Sequence, residues 1–293
     1  VLPALGAAWV IVAAVVIVGS SGVLVAGHPA YGIAVVAALL VGIGLVWYGF
    51  RRTSPRTWLV AAVGGVLSAV LLGSLLWLQP FGASSLATGM IGTTSAVRIV
   101  DTPTTIELQP PRDSGRALVF QPGARVDARA YVPLLTRVAA EGYLVVIVKQ
   151  PLGIGFLAID APDGILRAHP AITSWAVGGH SLGGVAASSY AAAHPDVKGL
   201  VLWASYPASS IADRPGLAVA SISGSADGLA TTAKVDAAKP FLPSATTYTV
   251  IPGGIHAYFG DYGDQPGDGT ATVSRDEAQA AIAAATVRLL ASL

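Results

Sequence analysis

Trp175-Ala-Val-Gly-Gly-His-Ser-Leu-Gly-Gly-Val185 is the stretch that decides the fold. It begins as a short buried strand, narrows to a tight turn at Ser181, and continues as an Ala-rich helix from Val185 to Ala193. A serine on a sharp strand-to-helix turn is held in a strained backbone conformation with its hydroxyl outward. Gly179 and Gly183, two positions either side, let such a turn close without a Cβ clash. The backbone N–H groups after the serine sit at a helix N-terminus, where they can stabilise a developing oxyanion. In a chain with 34 Gly among 293 residues, roughly 0.3 Gly-x-Ser-x-Gly matches arise from composition alone. The neighbouring segments must therefore decide.

On both sides of this stretch, apolar strand-like runs alternate with helical ones. Ala96–Leu108 forms one or two strands, and Arg116–Gln121 is a strand ending at Pro122-Gly123-Ala124. Tyr131–Glu141 reads as a helix, Tyr143–Lys149 as a buried strand, and Ile172–Val177 as the strand entering the serine turn. Val197–Ala204, Leu217–Ser223 and Thr246–Ile251 are further strands, and Asp276–Leu293 is a closing helix. Buried strands separated by helices indicate an α/β fold with a mainly parallel sheet covered on both faces.

Sites in such sheets lie at the carboxyl ends of strands. Leu217–Ser223 is followed by Gly224-Ser-Ala-Asp227-Gly228, and Thr246–Ile251 by Pro252-Gly-Gly-Ile-His256. Singly, Asp227-Gly228 reads as a turn pair, His256 as a loop residue and Ser181 as a helix cap. In order, each just past a strand end, they match the serine, acid, histidine sequence of a triad on this architecture. His256 would take the Ser181 proton and return it to the leaving group, with Asp227 orienting the imidazole. Leu182 N–H and a second donor on the Pro122-Gly123-Ala124 turn, Ala124 N–H, would hold the oxyanion. Tyr206 and Tyr258 are candidates for a substrate-contacting wall, and Trp203 reads equally well as core. His28, His169 and His194 each precede Pro and read as turn residues, while His180 packs beside the nucleophile.

Residues 95–293 resemble the α/β-hydrolase superfamily, in particular compact bacterial members related to the dienelactone hydrolases. The resemblance rests on Gln121-Pro-Gly-Ala124, Gly179-His-Ser-Leu-Gly183, Gly224-Ser-Ala-Asp227 and Gly254-Ile-His256-Ala-Tyr-Phe-Gly260. It implies Ser181 as nucleophile with Asp227 and His256 as its partners, and no cofactor or metal. Dienelactone hydrolases carry a cysteine nucleophile and this chain has no cysteine, which sets the dienelactone substrate aside and leaves ester hydrolysis. The acidic run Asp261, Asp264, Asp268 lacks the bidentate Glu of a calcium loop and reads as a solvated loop.

Composition divides the chain. Hydrophobic residues make up 53% and charged residues 11%, well below the roughly 25% usual in soluble domains. Residues 1–90 hold Arg51, Arg52 and Arg56 and no acidic residue. Three runs there, about 5–25, 31–50 and 57–78, are long enough to span a bilayer. A cleaved signal peptide would explain the first and leave the other two unexplained. The spans contain no Asp, Glu, Lys or Arg, which argues against an ion path. Gly64, Gly65, Ser68, Ala69 and Gly73 give the third span a small-residue face suited to a membrane-protein partner or to packing within the chain. Arginines at 51, 52 and 56 place their loop in the cytoplasm and everything after the third span outside. The chain starts at Val1 without Met, so residues before it are expected.

The expected organisation is thus a transmembrane domain at 1–79, a Gly/Ser/Thr linker at 80–94 and an α/β-hydrolase domain at 95–293. The expected activity is that of a serine esterase in the plasma membrane, multi-pass, acting outside the cytoplasm on esters of lipid or envelope origin. The competing expectation is a catalytically silent accessory subunit using the same fold. Nothing basic enough for nucleic acid is present.

Overall fold

A computed structural model describes residues 2–51, 58–92 and 96–293. They fall into two compact units, Val1–Pro80 and Phe81–Leu293.

The first unit is helical: α1 (Leu2–Gly19), α2 (Ser21–Ala26), α3 (Pro29–Arg51) and α4 (Trp58–Trp77). Of these α1, α3 and α4 are long and apolar enough to cross a membrane. The expected first span, 5–25, is broken at Ser20, where Gly19-Ser-Ser-Gly22 supplies four poor helix formers in a row. The α1–α3 contact is a backbone contact: a Cβ on Gly6 would stand 2.6 Å from Gly42 O, and one on Gly42 would stand 2.9 Å from Gly6 O. On α4 the buried residues are Ser68, Leu72 and Leu75. A Cβ on Gly64, Gly65 or Gly73 would meet nothing within 4 Å among the described residues. Arg51 closes α3 with its guanidinium 4.4 Å over the Trp47 ring. Arg52, Arg56 and Thr57, on which the orientation and the start of the third span were read, lie outside the described residues.

The second unit carries an eight-stranded sheet: β1 (Arg98–Asp101), β2 (Thr105–Gln109), β3 (Arg116–Gln121), β4 (Leu144–Val148), β5 (Ser174–His180), β6 (Val197–Trp203), β7 (Ala218–Gly224) and β8 (Thr247–Ile251). The order is β1-β2-β4-β3-β5-β6-β7-β8. Strand β2 pairs antiparallel with β1 and with β4, and every other pair, β4 with β3 included, is parallel. The helices are α5 (Ser85–Met90), α6 (Val132–Ala140), α7 (Ala161–Ala168), α8 (Leu182–Ala193), α9 (Thr232–Ala238) and α10 (Arg275–Ala291).

The central strands are apolar at every position because both faces are covered, and alternation then sorts residues by face. Leu118 and Phe120 pack with α6 and α10, while Ala117 and Val119 pack with α7 and α8. Trp203, fully buried, belongs to the first of these cores and donates its indole N–H to Thr286 Oγ1 at 3.0 Å. Strands β3 and β5 are neighbours, and the connection leaving β3 runs to β4 on one side whereas that leaving β5 runs to β6 on the other. Such a switch point opens a crevice at the carboxyl ends of the strands.

Of the segment expected as a bare linker, 80–94, residues 81–92 are built into this unit. Phe81 N–H donates to Arg125 O at 2.7 Å, and Asp127 N–H donates to Phe81 O at 3.0 Å. Ser84 caps α5 by accepting from Ala87 N–H, and Ala87 is fully buried. Small polar residues read as a linker by composition; here one is a helix cap and its apolar neighbours find a surface. Residues 93–95 lie outside the described residues.

Candidate active site

Ser181 stands between β5 and α8 with φ 51° and ψ −123°, a conformation that L-residues rarely adopt and that surrounding contacts must hold. Its N–H donates to Trp203 O at 2.9 Å, and its carbonyl accepts the Ser205 hydroxyl at 2.7 Å. The end of β6 therefore clamps the turn. The flanking glycines are required sterically: a Cβ on Gly183 would lie 2.1 Å from Gln121 O, and one on Gly179 would lie 2.4 Å from Gly183 C. This close approach brings the start of α8 against the end of β3.

Asp227 and His256 follow β7 and β8, which are neighbours in the sheet. His256 Nδ1 lies 2.8 Å from Asp227 Oδ2, with both side chains withdrawn from solvent. Asp227 Oδ1 accepts the N–H groups of Leu229 at 2.8 Å and Ala230 at 2.7 Å. These three bonds use both carboxylate oxygens and aim one of them at the imidazole. His256 Nε2 is buried and has no hydrogen-bond partner among the described residues.

Ser181 and His256 line one cavity of about 220 Å³ with Leu182, Val185, Ala204, Ser205, Tyr206, Leu229 and Ala230. Its wall has no Asp, Glu, Lys or Arg. Of the two expected oxyanion donors, Leu182 is in this wall. Ala124 is on the turn after β3 and is not among the lining residues. Neither N–H donates to a partner among the described residues, whereas the adjoining Gly123 N–H donates to Tyr131 OH at 2.8 Å and Arg125 N–H to Gly153 O at 2.7 Å.

Tyr206 lines the cavity and Tyr258 does not. Two residues beyond His256 on the 3₁₀ turn His256–Phe259, where each residue advances by about 120°, Tyr258 lies instead against the Arg275 guanidinium at 4.5 Å. Val185, Ala204, Ser205, Leu229 and Ala230 were not anticipated. Val185 is one helical turn past Ser181, and Ala204 and Ser205 stand just beyond β6, so the strand-end rule that found Asp227 and His256 reaches them too.

His180 does more than pack. Its Nδ1 lies 2.8 Å from the Tyr131 hydroxyl, which also accepts from Gly123 N–H at 2.8 Å. Its ring centroid is 4.4 Å from that of His256. Burial, and then the neighbouring His256, hold His180 well below the ordinary imidazole range, so it is neutral beside the candidate base. No group of three or more His, Asp or Glu able to hold a metal ion occurs among the described residues.

A family model described as "Alpha/beta hydrolase family" matches residues 117–280. No curated protein matches the chain. Among solved structures, a predicted CIB-like hydrolase from Thermoplasma acidophilum aligns with TM-score 0.52 and 17% identity, covering 69% of this chain and 100% of its own. Est1E from Butyrivibrio proteoclasticus aligns with TM-score 0.49 and 12% identity, over 67% and 100%. The propionate-bound esterase Est2 from Thermogutta terrifontis gives TM-score 0.46 and 14% identity, over 67% and 94%. At 17% identity the likeness to the Thermoplasma acidophilum hydrolase is one of fold.

Proposed function

This chain belongs to the alpha/beta hydrolase family, and from that premise we propose that it is a membrane-anchored serine hydrolase that cleaves esters. One observation carries the reading. A buried Asp227–His256 pair leaves His256 Nε2 without a partner in the same cavity whose wall includes Ser181, on its strained turn.

The chemistry follows from those positions. Ser181 Oγ attacks the ester carbonyl carbon as His256 Nε2 takes its proton, and Asp227 holds the Nδ1–H and stabilises the imidazolium. Leu182 N–H donates to the oxyanion, with Ala124 N–H as the proposed second donor. Collapse expels the alkoxide, which leaves as the alcohol with the proton from His256. Water then attacks the acyl-serine by the same route and releases the acid. A cavity wall without charged side chains suits an ester that is neutral around the scissile bond.

The apolar helices α1, α3 and α4 supply the anchor, and the arginines at 51, 52 and 56 favour a catalytic unit outside the cytoplasm. A lipid or envelope-derived ester follows from that location. A fluorophosphonate probe applied to the detergent-solubilised full chain tests the reading. Labelling of the wild type and none of Ser181→Ala supports it. A folded wild type that does not label overturns it in favour of an accessory subunit.

A further inference from the structure

Beyond the three residues of the proposed triad, the structure assigns a role to the acidic run that follows His256. We infer that Asp268 is a positioning residue that locks the loop bearing Asp227 to the loop bearing His256; the inference rests on the serine hydrolase reading above. Asp268 Oδ1 accepts the N–H of Gly228 at 3.2 Å and of His256 at 3.0 Å. The same oxygen accepts Gly269 N–H at 2.8 Å, and Oδ2 accepts Ala257 N–H at 2.8 Å. One carboxylate thus holds the residue after the acid and the base itself.

The two loops come from different strands and meet directly upstream of the acid and the base, through Ala226 N–H to Gly254 O at 2.9 Å and Gly253 N–H to Ser225 Oγ at 2.8 Å. Asp268 extends that tie to the backbone of Gly228 and of His256 itself. A mutual shift of about 1 Å would open the Asp227–His256 bond, and displacement on that scale costs on the order of 100-fold in turnover. The Asp268 segment is also packed backbone to backbone against the loop bearing Asp227. A Cβ on Gly269 would lie 1.8 Å from Ala226 O, and one on Gly228 would lie 2.4 Å from Gly267 O. Glycine at both positions permits the backbones to interlock. The carboxylate then saturates N–H groups that would otherwise point into the junction. An acid is required because all four groups it meets are donors; an amide would turn its own N–H₂ toward one of them.

The test is made on the full chain in detergent, with rates expressed per serine titrated by fluorophosphonate. Asp268→Asn and Asp268→Ala are expected to lower kcat by about 10- to 100-fold with KM changed by less than about 3-fold. The acidic limb of their kcat/KM profile moves to lower pH, because a misaligned Asp227 stabilises the imidazolium less. Asp264→Asn, on the exposed part of the same loop, stays at the wild-type rate and profile. Wild-type kcat and an unmoved acidic limb in folded Asp268 variants overturn the inference and leave the hydrolase reading intact. Loss of fold in both variants overturns it in favour of a purely stabilising residue. Failure of the wild type to label removes the hydrolase reading, and the inference with it.

Discussion

His256 Nδ1 and Asp227 Oδ2 are 2.8 Å apart, and the two side chains are 1% and 0% exposed. A carboxylate so deeply withdrawn is sustained by the Leu229 and Ala230 N–H groups on its other oxygen. The pair is a shielded dipole aimed from the acid through the imidazole toward the cavity.

Replacing Asp227 by Asn keeps the shape and removes the charge that fixes the imidazole tautomer. Turnover of a simple nitrophenyl ester should fall by about 10³- to 10⁴-fold with little change in KM. Steady-state kinetics on protein with an unchanged circular dichroism spectrum checks this.

Gly183→Ala would drive a methyl group into the backbone carbonyls of Gln121 and Pro122, at 2.1 and 2.3 Å. Neither can swing aside as a side-chain tip would. The β5–α8 turn must open, so the variant should lose at least about 2 kcal/mol of stability and its reactivity at Ser181. Denaturant midpoints and probe labelling measure the two effects together.

His180 predicts a pH dependence of stability. Its folded-state pKa is depressed by burial and by His256, so below the ordinary value of 6.5 the unfolded chain binds a proton that the native state does not. Stability from this group is fully present above pH 6.5 and is lost as pH falls below it toward the depressed folded value. The slope approaches about 1.4 kcal/mol per pH unit. Unfolding midpoints between pH 5 and 8 should show a steeper loss toward acid in the wild type than in His180→Gln, which has no proton to gain.

Val185 narrows the cavity from the α8 side. Val185→Trp should fill much of its roughly 220 Å³ and lower kcat/KM for a butyrate ester about 10-fold more than for an acetate ester. A parallel loss for both substrates would place the acyl group elsewhere.

Much of this was legible in the chain because it is governed by local physics. Gly179 and Gly183 around Ser181 specify a turn that larger residues cannot make. Runs such as Leu144–Val148 can be buried on both faces only in a covered parallel sheet. The N-terminal runs without acids or lysines predict helices long and apolar enough to cross a membrane, and α1, α3 and α4 follow them closely. Asp227 and His256 stood out as candidates because each follows a strand end, and their strands are neighbours in the sheet.

Tertiary structure alone decided the remainder, because those features are contacts between segments with no periodic or compositional trace. Asp268 looked like a solvated acid until three N–H groups from the Asp227 and His256 loops were seen to converge on it, beside that of its own neighbour Gly269. Tyr131 reaches His180 across 49 residues, and no local pattern encodes that distance. Tyr258 left the expected cavity wall through the phase of a single 3₁₀ turn. The apparent linker became structure when Phe81 paired beside Val126. Sequence names the side chains able to carry a charge or a proton; which of them meet is set by the packing of strands and loops far apart along the chain.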